Sequence, residues 1–266
     1  MGLEDTYNLL YTYTNECLDA ILEGLDINST DRILAVAGSG DQALAMLERA
    51  GFVKAVDSTK SQVNFFKKRI EALQEGKYLT ALGTEVKATD FSIIPLPNPS
   101  IAGYSVLSLR NQFFLSNNRL ERIRDKLGNL VVEHSEDILD LAQKEKGFLK
   151  IYLSNVFIYS SQSGSHSHFE VSDVLEGIAD NLPLGGLIYV ANHKEIRDYH
   201  IVHSKRLLLP SINPSQFTIK KLNLPYYEKI EESYFLPSNL TVDLDLTKKA
   251  RKASEGQWSP AVYRKI

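Results

Sequence analysis

The sequence contains one cysteine, Cys17, among its 266 residues. A single thiol excludes a disulfide within the chain and any multi-cysteine zinc or iron–sulfur site. Proteins without such cross-links are typical of reducing compartments, so we expect a cytoplasmic protein. Its chemistry must therefore depend on other residue types.

Long hydrophobic runs and a strong excess of one charge are also missing. No apolar segment approaches the roughly 20 residues that span a bilayer, so we expect no stable membrane insertion. The acidic residues in MGLEDTYNLLYTYTNE are unlike the basic start of a signal peptide. A formal net charge of −3 provides no general attraction to nucleic acid, and we expect no nucleic-acid partner. None of these features indicates an oligomeric state.

Helical and strand patterns alternate over the first 76 residues. Apolar side chains at helical spacing predict a leading helix over residues 5–24, and RILAVAG then reads as a strand buried on both faces. DQALAMLERA predicts a helix, VKAVD a second strand, and TKSQVNFFKKRIEALQEG a second helix. This order predicts a βαβ unit with a parallel sheet.

The alternation stops at Lys77 and resumes near Asn118. The interval contains IIPLPNPS and is too long for an ordinary connection, so residues 77–118 are predicted to form an inserted helical cap. Further on, FLKIYLSNVFIYS and GGLIYVANH predict strands around the helix FEVSDVLEGIADNL. FTIKKLNL, SYFLPSNLTVDLDL and AVYRKI are predicted end strands, and KKARK is interpreted as a solvated loop. The whole chain, residues 1–266, is predicted to be a single α/β domain.

The turn after the first predicted strand, AGSGD, is the strongest candidate for a binding site. Ligands of open α/β sheets bind at the carboxyl ends of the strands, and small residues let a ligand approach the backbone there. Asp57 ends the second predicted strand, where a carboxylate can accept both hydrogen bonds of a ribose diol. These features predict an adenosine-containing ligand, although AGSGD can also be a simple tight turn.

Two kinds of adenosine ligand fit this pattern. A dinucleotide fingerprint, G-x-G-x-x-G, lacks its third glycine because Ala43 stands there, and Asp41 would repel a pyrophosphate. S-adenosylmethionine, which is cationic, would not be repelled. An NAD(P)-dependent oxidoreductase and a non-catalytic adenosyl-ligand-binding protein remain the alternatives to an enzyme that uses S-adenosylmethionine.

The segments AVAGSGDQAL, AVDSTKSQ and YLSNVFIYS resemble the class I S-adenosylmethionine-dependent methyltransferase superfamily. Within it the chain looks most like the aminocarboxypropyltransferases of betaine-lipid synthesis, over residues 31–192. The resemblance implies a Rossmann-like, doubly wound, mostly parallel seven-stranded sheet with an inserted helical cap. It also implies S-adenosylmethionine as cofactor. The superfamily usually has an acidic residue in the first strand, where this chain has Ala35.

The resemblance implies cofactor contacts at the ends of four strands. The residues implied to line the methionine part of the cofactor are Ala37, Gly38, Ser39 and Gly40. Those implied for the remainder are Asp57 for the ribose, Ser58 beside the adenine, Asp137 with its neighbour Glu136 at the adenine amino group, and Ser154 with Asn155 next to the sulfonium.

The predicted loop after the fourth strand, YSSQSGSHSHFE, supplies three of the candidate catalytic residues, and the end of that strand supplies Asn155. A neutral acceptor must lose a proton, which a histidine, carboxylate or tyrosine can take. The candidates are Asn155, Tyr159, His166 and His168, with a solvent-facing polar loop as the alternative. Two histidines are too few to specify a zinc site, so no metal is expected. The predicted function is transfer of a methyl or aminocarboxypropyl group to a small-molecule or lipid-headgroup acceptor.

Overall fold

The computed structural model describes residues 12–83, 109–135, 137–154, 156–157, 168–191, 237–254 and 258–266. Seven strands lie in these ranges: β1 Arg32–Val36, β2 Phe52–Asp57, β3 Leu130–His134, β4 Lys150–Tyr152, β5 Leu187–Val190, β6 Leu240–Val242 and β7 Ala261–Lys265. They form one sheet in the order β3-β2-β1-β4-β5-β7-β6. Strands β1 to β5 pair in parallel, and β7 pairs antiparallel with both of its neighbours. The prediction of a doubly wound, mostly parallel, seven-stranded sheet is confirmed.

Helices cover both faces of this sheet. Their bounds are α1 Leu18–Leu25, α2 Asp41–Arg49, α3 Lys60–Gln74, α4 Tyr78–Ala81, α5 109–115, α6 Arg119–Asp125, α7 Ile138–Ala142, α8 His168–Asn181 and α9 Leu244–Ala253. A short 3₁₀ turn, Leu127–Asn129, leads into β3. No helix within the described ranges is both long enough and apolar enough to cross a membrane.

Strand β1 lies at the centre of the core because both of its faces are buried. Ile33 and Ala35 pack in the cluster that contains residues of α1, α2, α3 and α9, whereas Leu34 packs in the cluster on the α7 and α8 side. All three side chains are fully shielded from solvent. Side chains alternate between the two faces of a strand, so a continuous apolar run fills two layers at once.

The prediction of a leading helix over residues 5–24 is wrong for residues 12–17, which are irregular, and residues 1–11 lie outside the described ranges. Helix α1 begins only at Leu18. The backbone N–H of Thr14 donates to Asp41 Oδ2 at 2.8 Å, and that of Glu16 donates to Thr14 Oγ1 at 3.0 Å. These contacts hold the segment against α2, so tertiary bonding overrides the helical periodicity.

The prediction of a long fourth strand, FLKIYLSNVFIYS, is also wrong. Strand β4 ends at Tyr152, Ser154 has a positive φ of 52°, and residues 156–157 are helical. A residue in the left-handed region cannot continue a strand. The chain therefore turns at Ser154, directly at the carboxyl edge of the sheet.

The predicted end strands are confirmed only in part. AVYRKI forms β7, but much of SYFLPSNLTVDLDL lies in the short strand β6 and in helix α9, and FTIKKLNL lies outside the described residues. Asp243 caps α9 by accepting a hydrogen bond from the N–H of Leu246 at 3.0 Å. KKARK is thus helical rather than a loop, while its three lysines are exposed, as the solvated interpretation requires.

The predicted cap, residues 77–118, is described only at its two ends, since residues 84–108 lie outside the described ranges. Helix α5 brings Arg110, Phe113 and Phe114 into the interior, where all three are buried. This end of the segment is therefore part of the domain core. The cap itself and the single domain over residues 1–266 stay predictions.

Candidate functional site

The turn between β1 and α2 places its backbone at the carboxyl edge of the sheet. Gly38 and Gly40 have φ values of 49° and 88°, and the N–H of Gly40 donates to the carbonyl of Ala37 at 2.7 Å. A Cβ at Gly40 would lie 2.2 Å from the ring of Phe66 on α3. Glycine at this position is therefore needed for packing, whereas Gly38 is half-buried and can face a ligand.

Asp57 ends β2 and is fixed against this turn by two backbone groups. Its Oδ2 accepts a hydrogen bond from the N–H of Gly38 at 3.0 Å, and its Oδ1 accepts one from the N–H of Thr59 at 2.9 Å. Burial raises the pKa of Asp57, although these two N–H groups act in the opposite direction. Each carboxylate oxygen has a second lone pair, so the oriented side chain can still accept hydrogen bonds from a diol.

Asp41, the first residue of α2, faces the interior instead of the ligand edge. Its carboxylate is fully buried between Arg69, whose Nη2 lies 2.6 Å from Oδ1, and Arg110, which donates to both oxygens at 2.8 Å. Burial alone would raise its pKa, but the two guanidinium groups hold the pKa of Asp41 well below its usual range. The expectation that Asp41 repels a pyrophosphate is wrong, because two buried cations face this single anion.

The N-terminus of α2 is covered by the segment before α1. Gln42 Nε2 donates to Thr14 Oγ1 at 2.8 Å, and the Thr14 N–H bonds Asp41. Asp41, Gln42, Ala43 and Thr14 are all buried. Pyrophosphates usually bind at such a helix N-terminus, and here the chain itself fills that place.

Glu16, which sequence reasoning missed, reaches the end of β4 from the same segment. Ser154 Oγ donates to its Oε1, while Oε2 has no hydrogen-bond partner within the described parts of the chain. Burial raises the pKa of Glu16 to about 7, and the nearby hydroxyl groups of Ser154 and Tyr152 oppose this only in part. Burial and the nearby Glu16 charge also raise the pKa values of Tyr152 and Tyr189. A buried carboxylate of this kind is common at functional sites.

Ser39 and Ser58 differ in their surroundings. Ser39 Oγ donates to Asp41 Oδ2 at 3.1 Å, and its carbonyl accepts a hydrogen bond from Arg69, so it faces the buried arginines. Ser58 is exposed, and its carbonyl lies 3.1 Å from Nε2 of His134 at the end of β3. Ser58 therefore lies on the surface near the end of β3, where an adenine contact stays a prediction, whereas Ser39 contacts the buried Asp41 and Arg69.

Asp137 has a structural contact that the sequence did not predict. Its Oδ1 accepts a hydrogen bond from the N–H of Leu139 at 2.7 Å and caps α7. Its other oxygen has no such role in the cap, and the side chain is half-buried. An adenine contact through that oxygen stays a prediction.

The predicted catalytic residues and the cofactor candidate Glu136 are mostly outside the part of the chain that the structure describes. Glu136, Asn155, Tyr159 and His166 lie outside the described residues, as does the side chain of His168, the first residue of α8. The described ranges contain no group of three or more His, Cys, Asp or Glu side chains that could hold a metal ion. The structure thus brings together the β1 turn, Asp57, Ser154 and Glu16, and the catalytic assignments stay predictions.

Comparison with solved structures finds matches at low sequence identity, several of which are methyltransferases. The putative methyltransferase yhhF from Escherichia coli is 12% identical with a TM-score of 0.45, covering 95% of this chain and 87% of that chain. TrmN from Thermus thermophilus is 15% identical with a TM-score of 0.44, covering 100% of this chain and 52% of that chain. The N-methyltransferase NodS from Bradyrhizobium japonicum WM9 is 7% identical with a TM-score of 0.43, covering 93% of each chain. No family model matches the chain, and no curated protein matches its sequence.

Proposed function

We propose that this chain is an S-adenosylmethionine-dependent transferase that acts on a small-molecule or lipid-headgroup acceptor. The observation that carries the proposal is the segment 14–16, which covers the N-terminus of α2 and adds the buried carboxylate of Glu16 beside the β1 turn. Such an edge suits a ligand with an adenosine and a cationic arm.

Asp57 and Gly38 are proposed to bind the adenosine part of this ligand. The Asp57 carboxylate is held by the N–H groups of Gly38 and Thr59, so its remaining lone pairs point in set directions for the two ribose hydroxyls. Gly38 is half-buried and has no side chain to block the approach of the sugar.

A dinucleotide fits this edge less well than an adenosyl cation does. Its pyrophosphate would need the free N–H groups of a helix N-terminus, and in α2 the first three residues are buried, with Thr14 bonded to the side chains of the first two. It would also meet the carboxylate of Glu16, which repels phosphate and attracts a cation. These contacts favour a transferase over an NAD(P)-dependent oxidoreductase.

When bound, S-adenosylmethionine supplies an already activated sulfonium leaving group. The lone pair of the acceptor forms the new bond to a carbon on sulfur, the carbon–sulfur pair stays on sulfur, and the acceptor loses a proton. Much of the catalysis can then come from positioning by Ser154 and its neighbours at the end of β4. Asn155, Tyr159, His166 and His168 are proposed to orient the acceptor or to take its proton.

Ligand-dependent stability tests the proposed cofactor. We expect S-adenosylmethionine, but not NAD, to raise the melting temperature, because a ligand at about 100 times its Kd adds roughly 2.7 kcal/mol. Asp57→Ala should weaken binding about 10- to 100-fold through loss of two charge-assisted hydrogen bonds. Asp140→Ala, at an exposed carboxylate on α7, is the matched control. Stabilisation by NAD instead, or unchanged binding to Asp57→Ala, would contradict the assignment.

The released by-product identifies the transferred group. Methyl transfer leaves S-adenosylhomocysteine, and aminocarboxypropyl transfer leaves methylthioadenosine. Chromatography after incubation with amine and headgroup acceptors separates the two. Binding with neither by-product across such a panel would instead support a non-catalytic adenosyl-binding protein.

A further inference from the structure

Two buried acceptor atoms near the switch between β1 and β4 make no hydrogen bond of normal geometry within the described residues: the Oε2 atom of Glu16, whose carboxylate lies near the Tyr152 hydroxyl, and Gln42 Oε1. Both residues are anchored to one hydroxyl, because Thr14 Oγ1 accepts from the N–H of Glu16 at 3.0 Å and from Gln42 Nε2 at 2.8 Å. Buried polar atoms are nearly always satisfied in folded proteins. Two such acceptors, on residues that share a contact with Thr14, therefore indicate a ligand that brings donors.

These two acceptors are tied to two strand ends. Gln42 Oε1 lies 4.0 Å from the position that a Cβ would take at Gly38, on the turn after β1. Glu16 is bonded by Ser154 Oγ, immediately after β4. The sheet order reverses between β1 and β4, which is the position where ligands of doubly wound sheets bind.

The chemistry of the two acceptors, Glu16 Oε2 and Gln42 Oε1, determines which ligand group can bind them. A carboxylate and an amide oxygen need donors, and the carboxylate also favours a positive charge. An ammonium group has three N–H donors and no acceptor, so it satisfies both atoms. The neighbouring carboxylate of Asp41 is unsuited to this role because Arg69 and Arg110 already neutralise it.

We propose that Glu16 and Gln42 bind the α-ammonium group of the cofactor's aminocarboxypropyl arm. The inference rests on the proposed function, which supplies the cofactor. In this arrangement the segment before α1 supplies a negative charge. Strand β1 does not supply one, because its residue 35 is a buried alanine. The alternative role of Glu16, as the group that accepts a proton from the substrate, is distinguished from ammonium binding by the experiment below.

Binding of three ligands tests the assignment: S-adenosylhomocysteine, its desamino analogue, which keeps the arm's carboxylate, and methylthioadenosine, which lacks the arm. Glu16→Gln keeps the size of the side chain and an oxygen for Ser154, removes the charge, and replaces the second acceptor oxygen with an NH2 donor. By isothermal calorimetry, we expect this variant to bind S-adenosylhomocysteine 10- to 100-fold more weakly. Its affinities for the desamino analogue and for methylthioadenosine should change less than threefold. Glu23→Gln, an exposed glutamate on α1, is the matched control and should change none of the affinities.

The outcomes separate this inference from the proposed function. If Glu16→Gln weakens all three ligands equally, or none of them, the ammonium assignment is wrong. Unchanged binding with a lower kcat would instead make Glu16 a proton acceptor. If the wild-type protein binds none of the three ligands, the proposed function itself fails. Retained methylthioadenosine binding also shows that the variant is folded.

Discussion

Glu16→Gln is expected to stabilise the ligand-free protein at neutral and alkaline pH. The folded protein raises the pKa of Glu16 from 4.5 to about 7 through burial. Between these two values the unfolded chain has released the proton and the folded chain still binds it. The free energy of unfolding therefore falls as pH rises through this window, and it stays lowered above pH 7. Glutamine does not ionise, so the variant avoids this loss.

The size of the effect follows from the two pKa values. Each pKa unit corresponds to about 1.36 kcal/mol, so the Glu16 carboxylate lowers the free energy of unfolding by about 3 kcal/mol at pH 8. Within the described ranges, the other titratable groups beside Glu16 are Cys17, Tyr152 and Tyr189. Burial raises the pKa values of both tyrosines, so neither titrates near neutral pH. The difference between variant and wild type should therefore grow by about 3 kcal/mol from pH 4.5 to pH 8.

Urea unfolding followed by circular dichroism at several pH values between 4.5 and 8 measures this difference. Wild type and Glu16→Gln are compared at each pH, so that groups titrating alike in both proteins cancel. Glu23→Gln should show no such trend, because its pair with Arg49 is at the surface. A difference between Glu16→Gln and wild type that stays constant within about 0.5 kcal/mol over the range would refute a buried, proton-binding Glu16.

Two further predictions concern the scaffold of the site. Asp41→Asn should lower the free energy of unfolding by about 3–5 kcal/mol in urea, because it leaves two buried guanidinium groups without their anion, whereas Asp140→Asn, at an exposed pair, should cost under about 0.5 kcal/mol. A loss below about 1 kcal/mol for Asp41→Asn would mean that water reaches the arginines. Gly40→Ala should lower the melting temperature far more than Gly76→Ala: both glycines have positive φ, but only the first would place a Cβ 2.2 Å from the ring of Phe66. Equal losses would show that backbone conformation, not packing, sets the requirement.

The prediction for ligand-free stability and the proposed ammonium site have one physical cause. A buried carboxylate with an unsatisfied oxygen destabilises the empty protein, and a bound cation would remove that cost. Residues that lower stability in this way are common where binding needs a preformed charge. The stability and calorimetric measurements on Glu16→Gln are therefore independent tests of the same side chain.

The sequence by itself determined the alternating α/β order and the position of the β1 turn. Hydrophobic periodicity is a local property, so the apolar run in β1, the glycines after it and Asp57 at the end of β2 could all be identified from neighbouring residues. The same local reasoning failed at residues 12–17, where apolar spacing predicted a helix, and after Tyr152, where it predicted a longer strand.

Only the tertiary structure decided what the charged residues of the site do. The local sequence predicts that Asp41 faces a ligand, but Arg110, 69 positions away, makes it the anion of a buried cluster. Glu16 carried no functional pattern in the sequence, and it becomes part of the site through Ser154, 138 positions away. Burial and ion pairing depend on residues that are distant along the chain, and no local pattern encodes which of them will meet.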